Sequence, residues 1–552
     1  MLTSYAVMEY NGRVGWRMRM GRIKRPTKRV ANTGQGGFEF GPAPVPTATE
    51  RKPIRDDRFL DDDPYHIMIG DRRLDQLLVA NDMRWVVELR QLMVSLDYSL
   101  LTATYSARGR CALHPRTVLG LIVYGLCLKQ LSLRELEQLS VANIGAWWIT
   151  GGRRIDHSTI GKFVQLHEEV LGAEFVTALT AWVVHRLRLR PGLSSIDGTV
   201  VESAASRWQL VQAEAAALAA AAARQAAGTE PSHSALQRNA EAAEEVARIG
   251  AQRCAKRTQQ GKPTDTVVVA SSDPDAVVQP RKDKVKRPAY KASTLMHEGG
   301  VIIGQHVDPS SETAAVDRLL EQHQEVFAQL PPTVLLDAAY HHGELLGDLA
   351  EQGIDVLCPS GKAMGDDDWE KRGVKGLFAK NQFRYDDQRD VYVCPANAVL
   401  NYADQGKDAR GRRYRRYRTA ACRSCELRSQ CTRGQHGRSI KRYAGDEYKE
   451  AMAVVLRQPR AREVYRQRMR IAETVHAEFR ERFGLRRFRR RGLAAVRAEF
   501  GLYCIAFNLK RALRDVAVFI VVVASSRQGQ RSWPAVGTHT LFLRIVLLTQ
   551  TE

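Results

Sequence analysis

Two apolar runs, Leu193-Ser194-Ser195-Ile196-Asp197 and Thr333-Val334-Leu335-Leu336-Asp337, constrain this chain most, because each reads as a buried strand that ends on a carboxylate. Between them, Ala289–Met296 and Val301–Val307 flank Glu298-Gly299-Gly300, the pattern of a hairpin. A helix is predicted over Glu312–Leu330. After the second run come a helix, His342–Gln352, and a further strand, Ile354–Cys358. A hairpin pairs antiparallel, whereas strand–helix–strand crosses over to pair parallel, so the two together predict an α/β fold with a mixed sheet flanked by helices.

The chain has 552 residues, enough for two to four domains. Residues 1–58 mix Gly, Pro and scattered Arg without periodicity and predict a disordered leader. Residues 59–190 read as an all-α N-terminal domain. Val118, Leu119, Ile122, Val123, Leu126 and Cys127 recur at helix spacing, Ser132 and Glu135 form a capping box, and Asp156 caps a helix predicted over Ile160–Arg188. The α/β domain occupies 191–515 with two insertions. One, at about 205–288, holds two alanine-rich stretches, Ala213–Ala227 and Ala240–Ala255, which predict a helical hairpin; it ends in the lysine-rich segment Arg281–Arg287, predicted to be exposed. The other, at about 364–446, reads as loop-rich and contains cysteines. A long arginine-rich helix is predicted from Glu447 to Arg482, breaking near Gly484, and a last helix over Ala494–Leu513. Residues 516–552 form a tail of different texture.

Charge narrows the function. Lys and Arg number 83 against 61 Asp and Glu, a net of +22; between Asn401 and Ala512 there are 30 basic and 11 acidic residues. Almost the whole surplus therefore lies in a fifth of the chain. It is mostly arginine, whose planar fork suits phosphate oxygens, and it is interleaved with aromatics, as in Tyr414-Arg415-Arg416-Tyr417-Arg418 and Phe488-Arg489-Arg490-Arg491. A nucleic acid is the expected partner. No apolar run reaches the roughly 18 residues of a membrane span, no secretory signal opens the chain, and nine cysteines do not suggest a disulfide framework; a reduced, cytoplasmic, nucleoid-associated protein is expected. A serine-hydrolase frame and a phosphate-binding Gly-x4-Gly-Lys loop are both missing from the sequence.

Three carboxylates stand out. Asp197 and Asp337 end predicted strands and are followed by small residues, although a strand-end Asp is commonly a turn residue or helix cap. Glu473 lies on the arginine-rich helix, where ideal spacing puts Arg466, Arg470 and Arg480 on its face and the apolar Ala472, Val475, Phe479 and Phe483 opposite. Read singly, Glu473 is an intrahelical ion-pair partner. Glu478 is a rival acid on another face. Joined, three acids beside arginines form a sufficient kit for phosphodiester chemistry with two Mg²⁺ ions, which favour oxygen ligands. Separately, Cys394, Cys422, Cys425 and Cys431 include one Cys-x2-Cys pair and suggest a structural Zn²⁺, with unliganded thiols as the alternative. His341 and His342, after the second Asp, are read as structural.

These residues resemble the DDE transposases of bacterial insertion sequences. The likeness is carried by Ile196-Asp197-Gly198-Thr199, by Leu336-Asp337-Ala338-Ala339-Tyr340 with Gly353-Ile354-Asp355, and by Glu473-x2-His476-x2-Phe479-Arg480 followed by Gly484-Leu485, Arg487-Phe488, Arg491-Gly492-Leu493 and Asn508-Leu509-Lys510. Pro115, Leu131–Leu136 and Asp156–Ile160 resemble the group's N-terminal transposase domain. It covers about Tyr65 to Ala512.

The resemblance implies an RNase H-like catalytic core in which Asp197, Asp337 and Glu473 hold two Mg²⁺, with Mn²⁺ as an alternative. It implies DNA contacts by the basic C-terminal region, with Arg466, Arg470, Arg480, Arg487, Arg491 and Lys510 as candidates. It further implies binding of double-stranded DNA at terminal inverted repeats and in the target, strand cleavage followed by transfer, and a homodimer or higher multimer on DNA. The rivals are an RNase H-like nuclease that never joins strands and a non-catalytic DNA-binding remnant.

Overall fold

The computed structural model describes residues 5–11, 15–21, 58–106, 110–280, 285–361, 377–408 and 411–527, with 5–11, 15–21 and 514–527 as backbone only. The chain divides into two units, Met1–Ile54 and Arg55–Glu552. In the first, Tyr5–Asn11 pairs antiparallel with Gly15–Gly21, from Tyr5 opposite Gly21 to Asn11 opposite Gly15. That departs from the expected disordered leader. The available signal was strand propensity in Tyr5, Val7, Tyr10 and Trp16. The remainder of the leader lies outside the described residues.

In the second unit the sheet is the frame. Its strands are β1 (Leu193–Glu202), β2 (Val277–Pro280), β3 (Lys286–His297), β4 (Ile302–Asp308), β5 (Thr333–Leu335) and β6 (Asp355–Leu357). The order is β4-β3-β1-β5-β6, with β2 also paired to β3. β4–β3 and β3–β1 are antiparallel, β1–β5 and β5–β6 parallel, so the sheet is mixed as predicted. Two details differ. β1 does not stop at Asp197 but runs five residues further, because β3 supplies hydrogen-bond partners out to Glu202 opposite Ala289. The segment after Arg281 is not simply exposed either: Lys286 and Arg287 open β3, and Arg287 pairs with Glu202 at 3.0 Å. Residues 281–284 lie outside the described residues.

The helices before the sheet share its core. Leu74, Leu119, Phe175, Ile196, Leu335, Phe479 and Ile505 belong to one contiguous apolar cluster. Pro115–Cys127 starts with Pro at its first turn and is buried around most of its circumference. The Ser132–Glu135 box forms as predicted, and Asp156 accepts from the backbone of Ser158 and Thr159. The helix expected over Ile160–Arg188 is instead three pieces, His157–Leu166, Glu168–Gly172 and Glu174–Arg186, bent at His167 and Ala173. The bends let the short middle piece pack along the C-terminal helix. Packing overrides propensity here.

Both insertions fold. Ala213–Thr229 and Ser234–Gln259 form the predicted hairpin around Ala216, Val246 and Val269. The second is not loop-rich but a five-stranded antiparallel sheet: β7 (Arg384–Asp386), β8 (Val391–Val393), β9 (Val399–Lys407), β10 (Arg413–Arg418) and β11 (Ser439–Tyr443). Its core is small, with Phe383, Tyr392, Leu400, Tyr417, Cys431 and Ile440. The arginines masked the period: Tyr417 faces inward while Arg413, Arg415 and Arg418 stay exposed.

The arginine-rich helix also breaks. Asp446–Val455 ends before Pro459, which opens Pro459–Arg468; Pro has no N–H to continue the ladder, and Gln458 before it is extended. A π turn, Met469–Glu473, then leads into Thr474–Glu481. Gly484 adopts φ +73°, the left-handed conformation that ends this run where expected. The last helix, Leu493–Arg527, reaches beyond Leu513 into the segment taken as tail. No helix among the described residues is long and apolar enough to cross a membrane.

One buried charge cluster knits the N-terminal helices. Asp62, 1% exposed, accepts from Arg116 at 2.6 and 3.0 Å and from Thr117, while Arg90 reaches its carboxylate at 3.4 Å and its carbonyl at 2.6 Å. Burial pushes this carboxyl up, but the hydrogen bonds from Arg116 and Thr117 and the charge of Arg90 outweigh it and bring it down to about 2. The contribution to stability is therefore complete above about pH 4 and is lost as pH falls through about 2. Asp62→Ala, which strands a buried guanidinium, is expected to cost about 3 kcal/mol in denaturant unfolding and to remove that acid-sensitive component.

Candidate active site

The strands differ in length, and this opens a cleft. β5 pairs with β1 only over three residues, Thr333 opposite Leu193 through Leu335 opposite Ser195. Between Ser195 and the isolated bridge of Glu202 to Arg487, no strand among the described residues pairs with that side of β1, and Asp197 sits two residues past the last pair. On its other side, β3 holds Asp197 opposite Thr294. Asp337 likewise lies two residues past the end of β5, so continuing the parallel register sets it level with Asp197. The backbone there turns into a 3-10 segment, Ala338–Tyr340, which Asp337 caps by accepting from the Ala339 N–H at 2.8 Å. Asp337 thus fills the cap role as well.

Asp197 is mostly buried, and its environment is acidic. Burial pushes its carboxyl up to about 6; the negative charges of Asp337 and Glu312 add to that, while the Arg468 guanidinium and the Gly198 N–H oppose it. Arg468 Nη2 stands 2.9 Å from Asp197 Oδ1, and His476 Nε2 stands 3.5 Å from Oδ2. His476 is 5% exposed, and burial, with Arg480 and Arg468 nearby, lowers its imidazole to about 4, so it is neutral at pH 7. Tyr465 anchors the same helical run by donating to the Leu336 carbonyl at 3.1 Å.

Glu473 is exposed and lines one cleft together with Asp197, Glu312, Arg287, His476 and Arg480. It ends the π turn. A π turn shifts the helical phase relative to the ideal spacing that stacks Arg466 and Arg470 on the Glu473 face. Arg480 shares the cleft; Arg466 and Arg470 are exposed but outside its lining. Glu478, the rival acid, is ion-paired with Lys510, which also lies 5.4 Å from the Phe483 ring centre. Arg487 is occupied too, donating to the carbonyls of Ser203, Ala204 and Ala205 at 2.7–2.9 Å. Lys510 and Arg487 are therefore structural cations in this state, whereas Arg491 is exposed.

Sequence reasoning missed Glu312, Arg468 and His476. Glu312 sits against Gly198, where a Cβ would meet its Cγ at 2.6 Å, and pairs with Lys291 at 3.0 Å. Nothing in the sequence separates Glu312 from an ordinary first-turn acid. Arg468 flanks Glu473 closely enough to be suspected. His341, by contrast, is structural as read, with Nδ1 3.1 Å from the Cys358 carbonyl.

Cys394, Cys422, Cys425 and Cys431 line one small pocket beside Phe378 and Phe383. Burial raises the Cys431 thiol, and the other three cysteines add to the shift. All four are free thiols. Among the described residues no three Cys, His, Asp or Glu side chains stand as a ready metal-holding group, here or in the carboxylate cleft.

The coupling within the cleft is measurable. Asp337→Asn and Glu312→Gln are each expected to bring the Asp197 carboxyl down from about 6, and Arg468→Gln to push it up. Difference infrared titration of aspartate-labelled protein checks the direction of each.

Residues 72–166 match the family model described as transposase domain (DUF772), and residues 393–513 match that described as transposase DDE domain. The second match contains Glu473 and the four cysteines and does not extend to Asp197 or Asp337. No curated protein matches the chain. Two transposase models, matched in order along one polypeptide, support an insertion-sequence DDE transposase.

Proposed function

We propose that this transposase binds the terminal inverted repeats of its element and catalyses Mg²⁺-dependent phosphodiester cleavage followed by strand transfer, with Asp197, Asp337 and Glu473 as the acidic triad. The observation that carries the reading is that Asp197 and Glu473 line one cleft while Asp337 lies near enough to raise the Asp197 carboxyl. The mixed sheet, with a hairpin followed by parallel strands on the other side of β1, supports the RNase H-like assignment.

The donor set fits a hard divalent cation. Asp197, Asp337 and Glu312 crowd like charges into a desolvated corner, an arrangement that a cation relieves. Mg²⁺ suits oxygen donors, with Mn²⁺ as an alternative, and Asp197, Asp337 and Glu473 would hold it; when bound it supplies an activated water and a stabilised leaving oxygen. The chain's own residues orient the reaction. Arg468 fixes one Asp197 oxygen, neutral His476 leaves the other without competing charge, and Arg480 offers a guanidinium on the cleft wall for a backbone phosphate. Exposed Arg466, Arg470 and Arg491 extend the basic surface along DNA; Arg487 and Lys510 act by holding the fold. The helical domain joins in end recognition, and two ends are brought together by a homodimer or higher multimer.

The four cysteines fit Zn²⁺ by donor chemistry, since thiolates around one pocket suit that ion and the sheet they serve has little core. About one zinc per chain is expected by elemental analysis, and Cys422→Ser with Cys425→Ser should lose the zinc and lower the unfolding temperature. Metal-free wild type of equal stability would refute this.

For the triad, Asp197→Asn and Asp337→Asn should abolish Mg²⁺-dependent cutting of a duplex bearing the element's end, and leave binding intact; Glu473→Gln should do the same. Arg468→Ala, which loosens Asp197, should lower cutting by about 10- to 100-fold. Retained cutting in the aspartate variants would overturn the triad. Wild-type cutting without insertion into a target plasmid would indicate a nuclease, and binding without any cutting a non-catalytic remnant.

A further inference from the structure

Trp208 is 80% exposed, more than any other large hydrophobic side chain among the described residues. A lone exposed apolar residue is ordinary, but this one is held in place. The turn that carries it is tied down on both sides. Arg487 grips the carbonyls of Ser203, Ala204 and Ala205, and Ser203 N–H donates to the Pro288 carbonyl at 3.0 Å. On the far side the Gln209 carbonyl accepts from Ser271 N–H at 3.0 Å and from its hydroxyl at 3.2 Å. Within the turn, Ser206 Oγ accepts from the Trp208 N–H at 3.2 Å. The indole is therefore presented from a braced loop.

Its surroundings carry three arginines and one acid, Glu202, which pairs with Arg287 at 3.0 Å. The Arg207 guanidinium lies 4.3 Å from the indole ring centre, and Arg287 and Arg487 line the same hollow. Arg287 also lines the carboxylate cleft, so the two hollows adjoin. A ring plane beside arginines, next to a cleft for phosphodiester chemistry, matches a nucleobase attached to a phosphate backbone. Bases in the interior of a duplex have both faces stacked and offer none to an indole. From these features we infer that Trp208 and Arg207 form a stacking site for an unpaired DNA base. From Asp197 to Glu202, at the near wall of the hollow, β1 spans roughly 17 Å at the usual rise per residue.

This rests on the DNA reading above, and the experiment separates the two. Full-length protein is titrated with a fluorescein-labelled single-stranded dT20 and with a blunt 20-base-pair duplex. Wild type should bind both, and dT20 should quench tryptophan emission. Trp208→Ala should weaken dT20 binding by roughly tenfold to hundredfold and abolish most of the quench, with duplex affinity within about twofold of wild type. Trp208→Phe should restore much of the dT20 affinity. Because the side chain is exposed, the variants should melt like wild type. Equal dT20 affinity in Trp208→Ala would overturn the stacking site alone, as would equal loss on both DNAs or loss of multimer in place of base contact. A wild type that binds neither DNA would instead remove the DNA reading itself.

Discussion

The unequal pairing of β1 with its two neighbours underlies the site. β3 pairs with β1 along nine residues, from Ser194 to Glu202, and keeps it extended and rigid. β5 pairs over three and then turns away. Backbone groups are thus satisfied on one side of Asp197 while the other side is open to a cleft. A β5 that continued alongside would seal that side and bury Asp197 against a strand. Because β5 stops, the second aspartate arrives at the same level, and an acid on a separate helical run can approach from across the gap.

This geometry carries an electrostatic cost that the fold meets locally. Asp197 loses hydration and faces Asp337 and Glu312, and either effect alone would favour its protonated form. Arg468 offsets part of this from the helix Pro459–Arg468, and Tyr465 ties the same helix to the Leu336 carbonyl. The π turn that follows re-aims Glu473 at the cleft without disturbing the buried stripe of Ala472, Val475, Phe479 and Phe483. Many of the surplus arginines nearby are not free for a polyanion. Arg415 pairs with Asp390, Arg416 with Asp404 and Arg442 with Glu450, while Arg487 secures the loop after β1. The net charge therefore overstates the surface that phosphate can reach.

Legibility followed the range of the forces involved. Local signals were read correctly: the Ser132–Glu135 box, the Asp156 cap, the alanine-rich hairpin, the Glu298–Gly300 turn and the stop at Gly484 are each set within a few residues. Pro459 is an equally local break, masked by the continuous arginine pattern on either side. The five-stranded sheet in the second insertion was not legible, since its inward residues are few and separated by arginines whose exposure only the pairing decides.

The amino-acid order by itself determined which regions are mostly helical, where several turns fall, which two aspartates follow apolar strands and where positive charge gathers, because these depend on side-chain period, propensity and composition. Only the tertiary structure decided that Glu312 and Arg468 belong beside Asp197, that Glu478 and Lys510 neutralise each other elsewhere, and that Arg487 is a brace. Those assignments depend on distances between residues remote in the chain, and electrostatic and hydrogen-bond energies are set by such distances and by burial, neither of which a linear pattern encodes.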